Sequence, residues 1–107
     1  MNIEEIRILI YRTNRGVEPF NNWLHNLDSV SIERVLRRIN RVRFGNFGDY
    51  KNIGNGIFEL RLDFDGGYRI YFTMSNKKEI VILNGGNKKT QRQDIKKAIE
   101  YLEEYEK

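Results

Sequence analysis

Apolar and polar positions change their spacing along this chain, and each change marks an element. Ile6 to Tyr11 is a β-branched, apolar run that predicts a first strand, closed by Asn14-Arg15-Gly16. Pro19 suits a first helical turn, and Phe20, Leu24 and Leu27 then share one face of a helix that stops near Asp28. Ser29 to Phe44 follows as the clearest helix. Ile32, Val35, Leu36, Ile39 and Val42 form its apolar stripe, and Arg34, Arg37, Arg38, Arg41 and Arg43 occupy the remaining surface. Asp28 or Ser29 can cap its start and Gly45 can end it.

Gly45 to Gly56 reads as a polar, glycine-rich connection from helix into sheet, with Asn55-Gly56 a tight turn. Beyond it the spacing drops to two. Phe58, Leu60 and Leu62 fall on one strand face and Glu59, Arg61 and Asp63 on the other; the next strand sets Ile70, Phe72 and Met74 against Arg69, Tyr71 and Thr73. Residues opposite each other on an antiparallel pair face the same way, so the two polar sets meet only if the loop length is odd. Asp65-Gly66-Gly67 can supply a three-residue loop, since glycine enters the left-handed region freely. Ile80 to Leu83 is continuously apolar, as in a central strand covered on both faces. Thr90-x-x-Gln93 is a capping-box signature opening a last helix whose buried stripe is Ile95, Ala98, Ile99 and Leu102. The order is β-α-α-β-β-β-α, an α+β fold with an antiparallel sheet packed against helices in a single domain spanning 1–107.

Composition narrows the chemistry. The 107 residues contain no cysteine, which excludes disulfides and thiolate catalysis. The single histidine, His25, cannot build a histidine-rich metal site and reads as a surface residue of the short helix. No apolar run is long enough to span a bilayer and Met1 opens no secretory leader, so the expected location is the cytoplasm, away from membrane. Net charge is +4, yet the last eight residues sum to −3 and residues 1–99 to +7. A basic body with an acidic tail predicts a polyanionic partner, with nucleic acid first among candidates. Five arginines on one helix, with only Glu33 among them, repel each other unless an anion compensates; the alternatives are a phosphate-binding ridge, an acidic partner or plain solvation.

Neither glycine-rich stretch fits a nucleotide fingerprint. Gly45-x-x-Gly48 lacks the Gly-Lys-Ser/Thr ending, and Gly85-Gly86 lacks the wider spacing of a dinucleotide site. The hairpin instead offers a polar face with Arg61, Arg69 and Tyr71, and Lys88-Lys89 arrives just after the third strand of the group. Cross-strand ion pairing on a solvated sheet face is the plainer use of such residues. Glu59, Asp63 and Asp94 each have a close basic neighbour, which favours ion pairs over acid–base work.

These blocks carry a resemblance. Phe58-Glu-Leu-Arg-Leu-Asp-Phe-Asp-Gly-Gly-Tyr-Arg-Ile-Tyr-Phe72, then Leu83-Asn-Gly-Gly-Asn-Lys-Lys-Thr-Gln91 and Asp94-Ile-Lys-Lys-Ala98, resemble the toxins of the RelE/ParE superfamily. Within it the phage-related Gp49-like and HigB-like killer proteins are nearest. The resemblance implies a compact RelE-like fold and the toxin of a type II toxin–antitoxin module. It further implies a metal-independent endoribonuclease, without cofactor, that cuts mRNA on the ribosome and inhibits translation. Its partner would be a small helix-turn-helix antitoxin. Cleavage through the RNA's own 2′-hydroxyl needs a proton acceptor, charge neutralisation at the phosphorane and a proton donor for the leaving oxygen. On that pattern Arg61 and Arg69 clamp the phosphate, Lys88 and Lys89 stabilise charge, and Lys51 or Tyr71 transfers protons. Arg34, Arg37, Arg38, Arg41 and Arg43 would contact RNA or the ribosome. The chain departs from RelE itself at Ile95, where RelE has a tyrosine, and at Lys89, where it has an arginine; the histidine–aspartate cluster of some HigB proteins is missing. A ParE-like gyrase toxin and a non-catalytic antitoxin-binding module remain the alternatives.

Overall fold

The computed structural model describes residues 4–64 and 66–107. Its elements are β1 (Arg7–Ile10), α1 (Pro19–His25), α2 (Ser29–Arg43), β2 (Tyr50–Gly54), β3 (Ile57–Leu62), β4 (Tyr68–Asn76), β5 (Glu79–Asn87), a 3-10 turn (Lys88–Thr90) and α3 (Gln91–Tyr105). The strands form one five-stranded sheet in the order β1-β5-β4-β3-β2. Helices α1 and α2 cover one face and α3 the other, giving the expected α+β class with two apolar layers. Phe20, Leu24, Val35, Ile39 and Val42 meet Leu60, Leu62, Ile70, Phe72, Ile80 and Ile82 in the first layer. Ala98 and Leu102 meet Tyr11, Ile57, Tyr71, Val81 and Leu83 in the second. No helix among the described residues is long and apolar enough to cross a membrane.

Two features add to the expected strand pattern. The sheet is mixed, because β1 runs parallel to β5 while the other neighbours pair antiparallel. Part of the predicted 45–56 connection is a strand, β2, hydrogen-bonded to β3 at the sheet edge. Its burial pattern is almost wholly exposed, so the alternation that reveals a half-buried strand is missing from its sequence. Asn55 and Gly56 do form the tight turn, with φ of 58° and 79°, as a two-residue hairpin of the twist-matched type requires.

Helix α2 begins as its sequence predicts: the Asp28 side chain accepts from the Ser31 N–H at 2.7 Å. Leu36 departs from the predicted stripe and is 49% exposed on the helix flank. The capping box ahead of α3 is also displaced. It forms between Asn87 and Thr90 in the 3-10 turn, and Thr90 makes no side-chain cap for α3 itself. The turn expected at Asp65-Gly66-Gly67 includes Asp65, which lies outside the described residues, as does the start at Met1. Gly66 and Gly67 have φ of 80° and 89°; Leu62 pairs with Tyr68, so the connection is the five residues 63–67 rather than three, and its odd length gives the parity that the polar sets need.

Central strand β5 carries an irregularity that matters for the site. Tyr71 pairs with Asn84 while Phe72 pairs with Ile82, so Leu83 is an extra residue in β5. The insertion lets both Leu83 and Asn84 lie on the α3 side. Beyond it Gly85 faces α1 and Gly86 faces α3. A Cβ on Gly85 would lie 2.4 Å from the Trp23 ring, and one on Gly86 would lie 1.8 Å from an Asp94 oxygen, so both layers close onto bare backbone here.

Candidate functional site

Cross-strand register builds one row of polar side chains on the α3 face of the sheet. Lys51 of β2 stands opposite Glu59 of β3, Glu59 opposite Tyr71 of β4, and Tyr71 opposite Asn84 of β5. The adjacent row is Arg61 opposite Arg69, with Gly86 beyond. Two arginines directly across a strand pair repel, and such pairing is normally unfavourable. Glu59 resolves the conflict. Its side chain is 1% exposed and lies 3.0 Å from Arg61 Nε and 3.9 Å from Arg69 Nε. Gln91, the first residue of α3, donates its Nε2 hydrogen to the second Glu59 oxygen at 2.7 Å. The centre is therefore one enclosed carboxylate shared by two guanidiniums and an amide.

The two arginines differ in access. Arg61 is 35% exposed and presents its outer nitrogens to solvent, whereas Arg69 is 14% exposed. Its Nη1 reaches the Tyr68 carbonyl at 3.3 Å and packs close to Gly67. Arg69 Nε has no hydrogen-bond partner, because 3.9 Å exceeds bonding distance. The Glu59 hydrogen bond, reinforced by its charge, raises the Arg61 pKa, so the guanidinium is charged at every physiological pH.

Helix α3 changes the standing of Tyr71. The alternation placed it on an open polar face beside Arg61, but α3 covers that end of the face and Tyr71 is 0% exposed within the second apolar layer. Burial, and then the charges of Glu59 and Asp94, push its phenol pKa up, so it is neutral. The hydroxyl sits beside Glu59 without completing a hydrogen bond of ordinary geometry. Lys51, by contrast, is exposed on the edge strand opposite Glu59.

Lys88 and Lys89 are exposed on the 3-10 turn. The Asn87 side chain accepts from the backbone N–H groups of Lys89 and Thr90 at 2.8 and 3.1 Å. The Lys88 N–H donates to the Gly67 carbonyl at 3.1 Å, which ties the lysine turn to the loop against which Arg69 packs. Among the described residues neither lysine side chain is in an ion pair. Next to this turn Thr90 donates its hydroxyl to Asp94, and Asn84 Nδ2 donates to the Asp94 carbonyl at 3.0 Å. The ion pairing expected of Glu59 is therefore present, whereas Asp63 and Asp94 make none among the described residues, and Gln91 and Asn84 gave no signal in the sequence. The Glu59-Leu60-Arg61 alternation showed that Glu59 and Arg61 share a face; the covering helix that buries Glu59 is a tertiary fact.

The helix α2 arginines lie on the other side of the sheet and do not act as one ridge. Arg38 turns inward, where Nη1 donates to the Arg61 carbonyl and Nη2 to the carbonyls of Phe47 and Asp49 at 2.8 and 2.9 Å. Burial pushes its pKa down, and three carbonyls hold its charge. Arg37 pairs with Glu33 one turn earlier. Arg43 lines a separate groove with Glu5 and Ile8 beside β1. Arg34 and Arg41 flank a cleft of about 210 Å³ toward Phe64.

Comparison with known proteins agrees with this architecture. The family described as "Phage derived protein Gp49-like (DUF891)" matches residues 22–104, which include every site residue named above except Glu5 and Ile8. A protein of Haemophilus influenzae named "Uncharacterized protein" is 45% identical over 80 residues, covering 74% of this chain and 81% of that protein. With a family match over most of its length and the mixed sheet between helices that the RelE-like fold requires, the chain belongs to the Gp49-like phage-derived family, part of the RelE/ParE-like toxin superfamily.

Proposed function

We propose that this protein is the toxin of a type II toxin–antitoxin pair and acts in the cytoplasm as a ribosome-dependent mRNA endoribonuclease. The observation that carries the reading is the pairing of Arg61 with Arg69 around one carboxylate, beside a turn bearing two lysines that make no ion pair among the described residues. Two guanidiniums sharing a single negative charge retain an excess of one positive charge. A phosphate placed against Arg61 meets directional donors already oriented by Glu59, which is how preorganised charge stabilises a phosphorane.

On this proposal Arg61 makes the direct phosphate contact and Arg69 supports it from a more enclosed position. Lys88 and Lys89 add neutralising charge from the neighbouring turn. Of the two proton-transfer candidates, Lys51 is exposed and Tyr71 enclosed, so the role goes to Lys51. The 2′-hydroxyl gives its proton to solvent as its oxygen bonds to the adjacent phosphorus, the P–O5′ bond breaks to leave a 2′,3′-cyclic phosphate, and the departing 5′-oxygen takes a proton from Lys51, which solvent restores. The ribosome would hold the messenger in the bent geometry that this attack needs. An antitoxin partner, expected for a toxin of this family, would bury part of the basic surface and shield it electrostatically.

Induced expression tests the reading. Arrest of growth with cleavage of translated messages, mapped by primer extension, is the expected result. Arg61→Ala combined with Arg69→Ala should relieve the arrest by at least tenfold in surviving cells, while circular dichroism shows the fold intact. Arrested cells with intact transcripts, accompanied by loss of supercoiling in a purified gyrase reaction, would replace the ribonuclease with a gyrase toxin.

A further inference from the structure

The cleft between α2 and the loop after β3 is built differently from the Glu59 centre and lies on the opposite sheet face. Four arginines line it together with Leu62, Asp63 and Phe64, so the arginines outnumber the one carboxylate, and their donors are not equally engaged. Arg38 is committed to backbone carbonyls and Arg37 to Glu33. Arg34 places its guanidinium carbon over the Phe64 ring, 4.9 Å from the centroid. Phe64 is in turn braced edge-on by Tyr68 at 5.2 Å. Arg41 is exposed on the same flank of the helix and, among the described residues, makes no ion pair.

We infer that this cleft binds a single-stranded RNA nucleotide outside the cleavage centre, its base stacked on the Arg34 plane and its phosphate on Arg41. Three observations select this occupant. A guanidinium held over an aromatic ring by a cation–π contact offers its planar group to a base, and single-stranded bases stack on arginine planes without sequence preference. Arg41, without an ion pair among the described residues, supplies the phosphate contact within the same cleft. An acidic peptide would need only the charge, and the Phe64–Tyr68 brace would serve no purpose in binding it.

The inference deepens the ribonuclease reading and rests on RNA being the target. Arg38 donates to the Arg61 carbonyl, so the cleft and the Glu59 centre are anchored to one residue of β3 from opposite faces. RNA seated in the cleft would pass around the loop between β3 and β4 to reach Arg61.

Fluorescence anisotropy of the whole protein with a labelled single-stranded RNA twelve-mer, over a salt series, tests it. Arg41→Ala should weaken binding and reduce the slope of log K against log salt by about 0.7. Phe64→Ala should weaken binding about tenfold and leave that slope unchanged, because it removes stacking support and no charge. Arg34→Lys, which retains charge without a plane, should resemble Phe64→Ala. Wild-type affinity in all three variants would overturn the cleft as a nucleotide site while leaving the ribonuclease reading intact. No affinity of the wild-type protein for RNA, free or on ribosomes, would overturn both. If a poly-glutamate peptide binds with the same dependence on Arg41 and none on Phe64, the cleft belongs to an acidic protein instead.

Discussion

Glu59 occupies a position where an ionised side chain is tolerated only with close partners, since an enclosed carboxylate loses the water that would solvate it. Arg61, Arg69 and Gln91 replace that water. Glu59→Gln keeps the shape and removes the charge, leaving two arginines facing each other across the strand pair. We expect it to lower stability by about 1–3 kcal/mol, read as a shift in urea midpoint at constant slope, and to weaken growth arrest as well. Unchanged stability would mean that the arginines find water as easily as they find Glu59. Tyr71→Phe is the counterpart. Its hydroxyl lies beside Glu59 but, among the described residues, completes no hydrogen bond of ordinary geometry, so its removal should leave stability nearly unchanged, and toxicity should persist. Loss of toxicity in a folded Tyr71→Phe protein would restore the phenol to the chemistry. At this scale the sequence showed which residues share a face. It could not show which of them are enclosed, because that depends on where α3 lands.

Among the elements, the strongly periodic ones were legible and the edge strand was not. Helices α2 and α3 announce themselves through apolar stripes, α2 also through its Asp28 cap, and β3 and β4 through strict alternation. Strand β2 has a single strand neighbour and an exposed Tyr50-Lys51-Asn52, so its sequence looks like the connection it replaces. The α2 arginines were legible as a basic face, but their division into a carbonyl staple, an ion pair and a cleft depends on what each meets across space. Strand β5 supplies the sharpest test at this scale. Gly85 leaves room for Trp23, whose ring is wedged between Phe20 and Tyr68 at 5.8 and 5.6 Å. Gly85→Ala should therefore cost about 1–3 kcal/mol through overpacking. Trp23 is the chain's single tryptophan, so its emission reports the same displacement during unfolding. An unchanged midpoint would show that α1 can move aside without loss.

Across the whole molecule, the sequence conveyed class, element order and, through the continuously apolar Ile80 to Leu83, a strand covered on both faces, whereas the parallel β1–β5 pairing was not visible in local spacing. Charge acts at this scale too. The Ser31 backbone N–H holds the Asp28 carboxylate below its ordinary range at the start of α2. The nearby Tyr11 hydroxyl and the Asn14 N–H do the same for Glu104, joining the end of α3 to the loop after β1. A carboxylate whose pKa is depressed by folding adds stability above its unfolded value, near 4, and loses that contribution as pH falls through its folded value. Thermal midpoints should be level from pH 7 to about pH 5 and decline below it, with Asp28→Asn and Glu104→Gln each flattening the decline. Equal slopes in wild type and variants would remove these two carboxylates from the acid response.

Arg61 is gripped twice. Its carbonyl oxygen is held from the α2 side by Arg38, and its guanidinium from the α3 side by Glu59. Hairpins near a sheet edge can slip by one residue, and such a slip turns every side chain to the wrong face. Here a slip of β3 would drive the Arg61 cation toward the arginines of α2 and strand Glu59 among aliphatic neighbours. The double grip therefore works as a register pin: a mispaired hairpin forfeits both contacts and sets charge against an apolar layer.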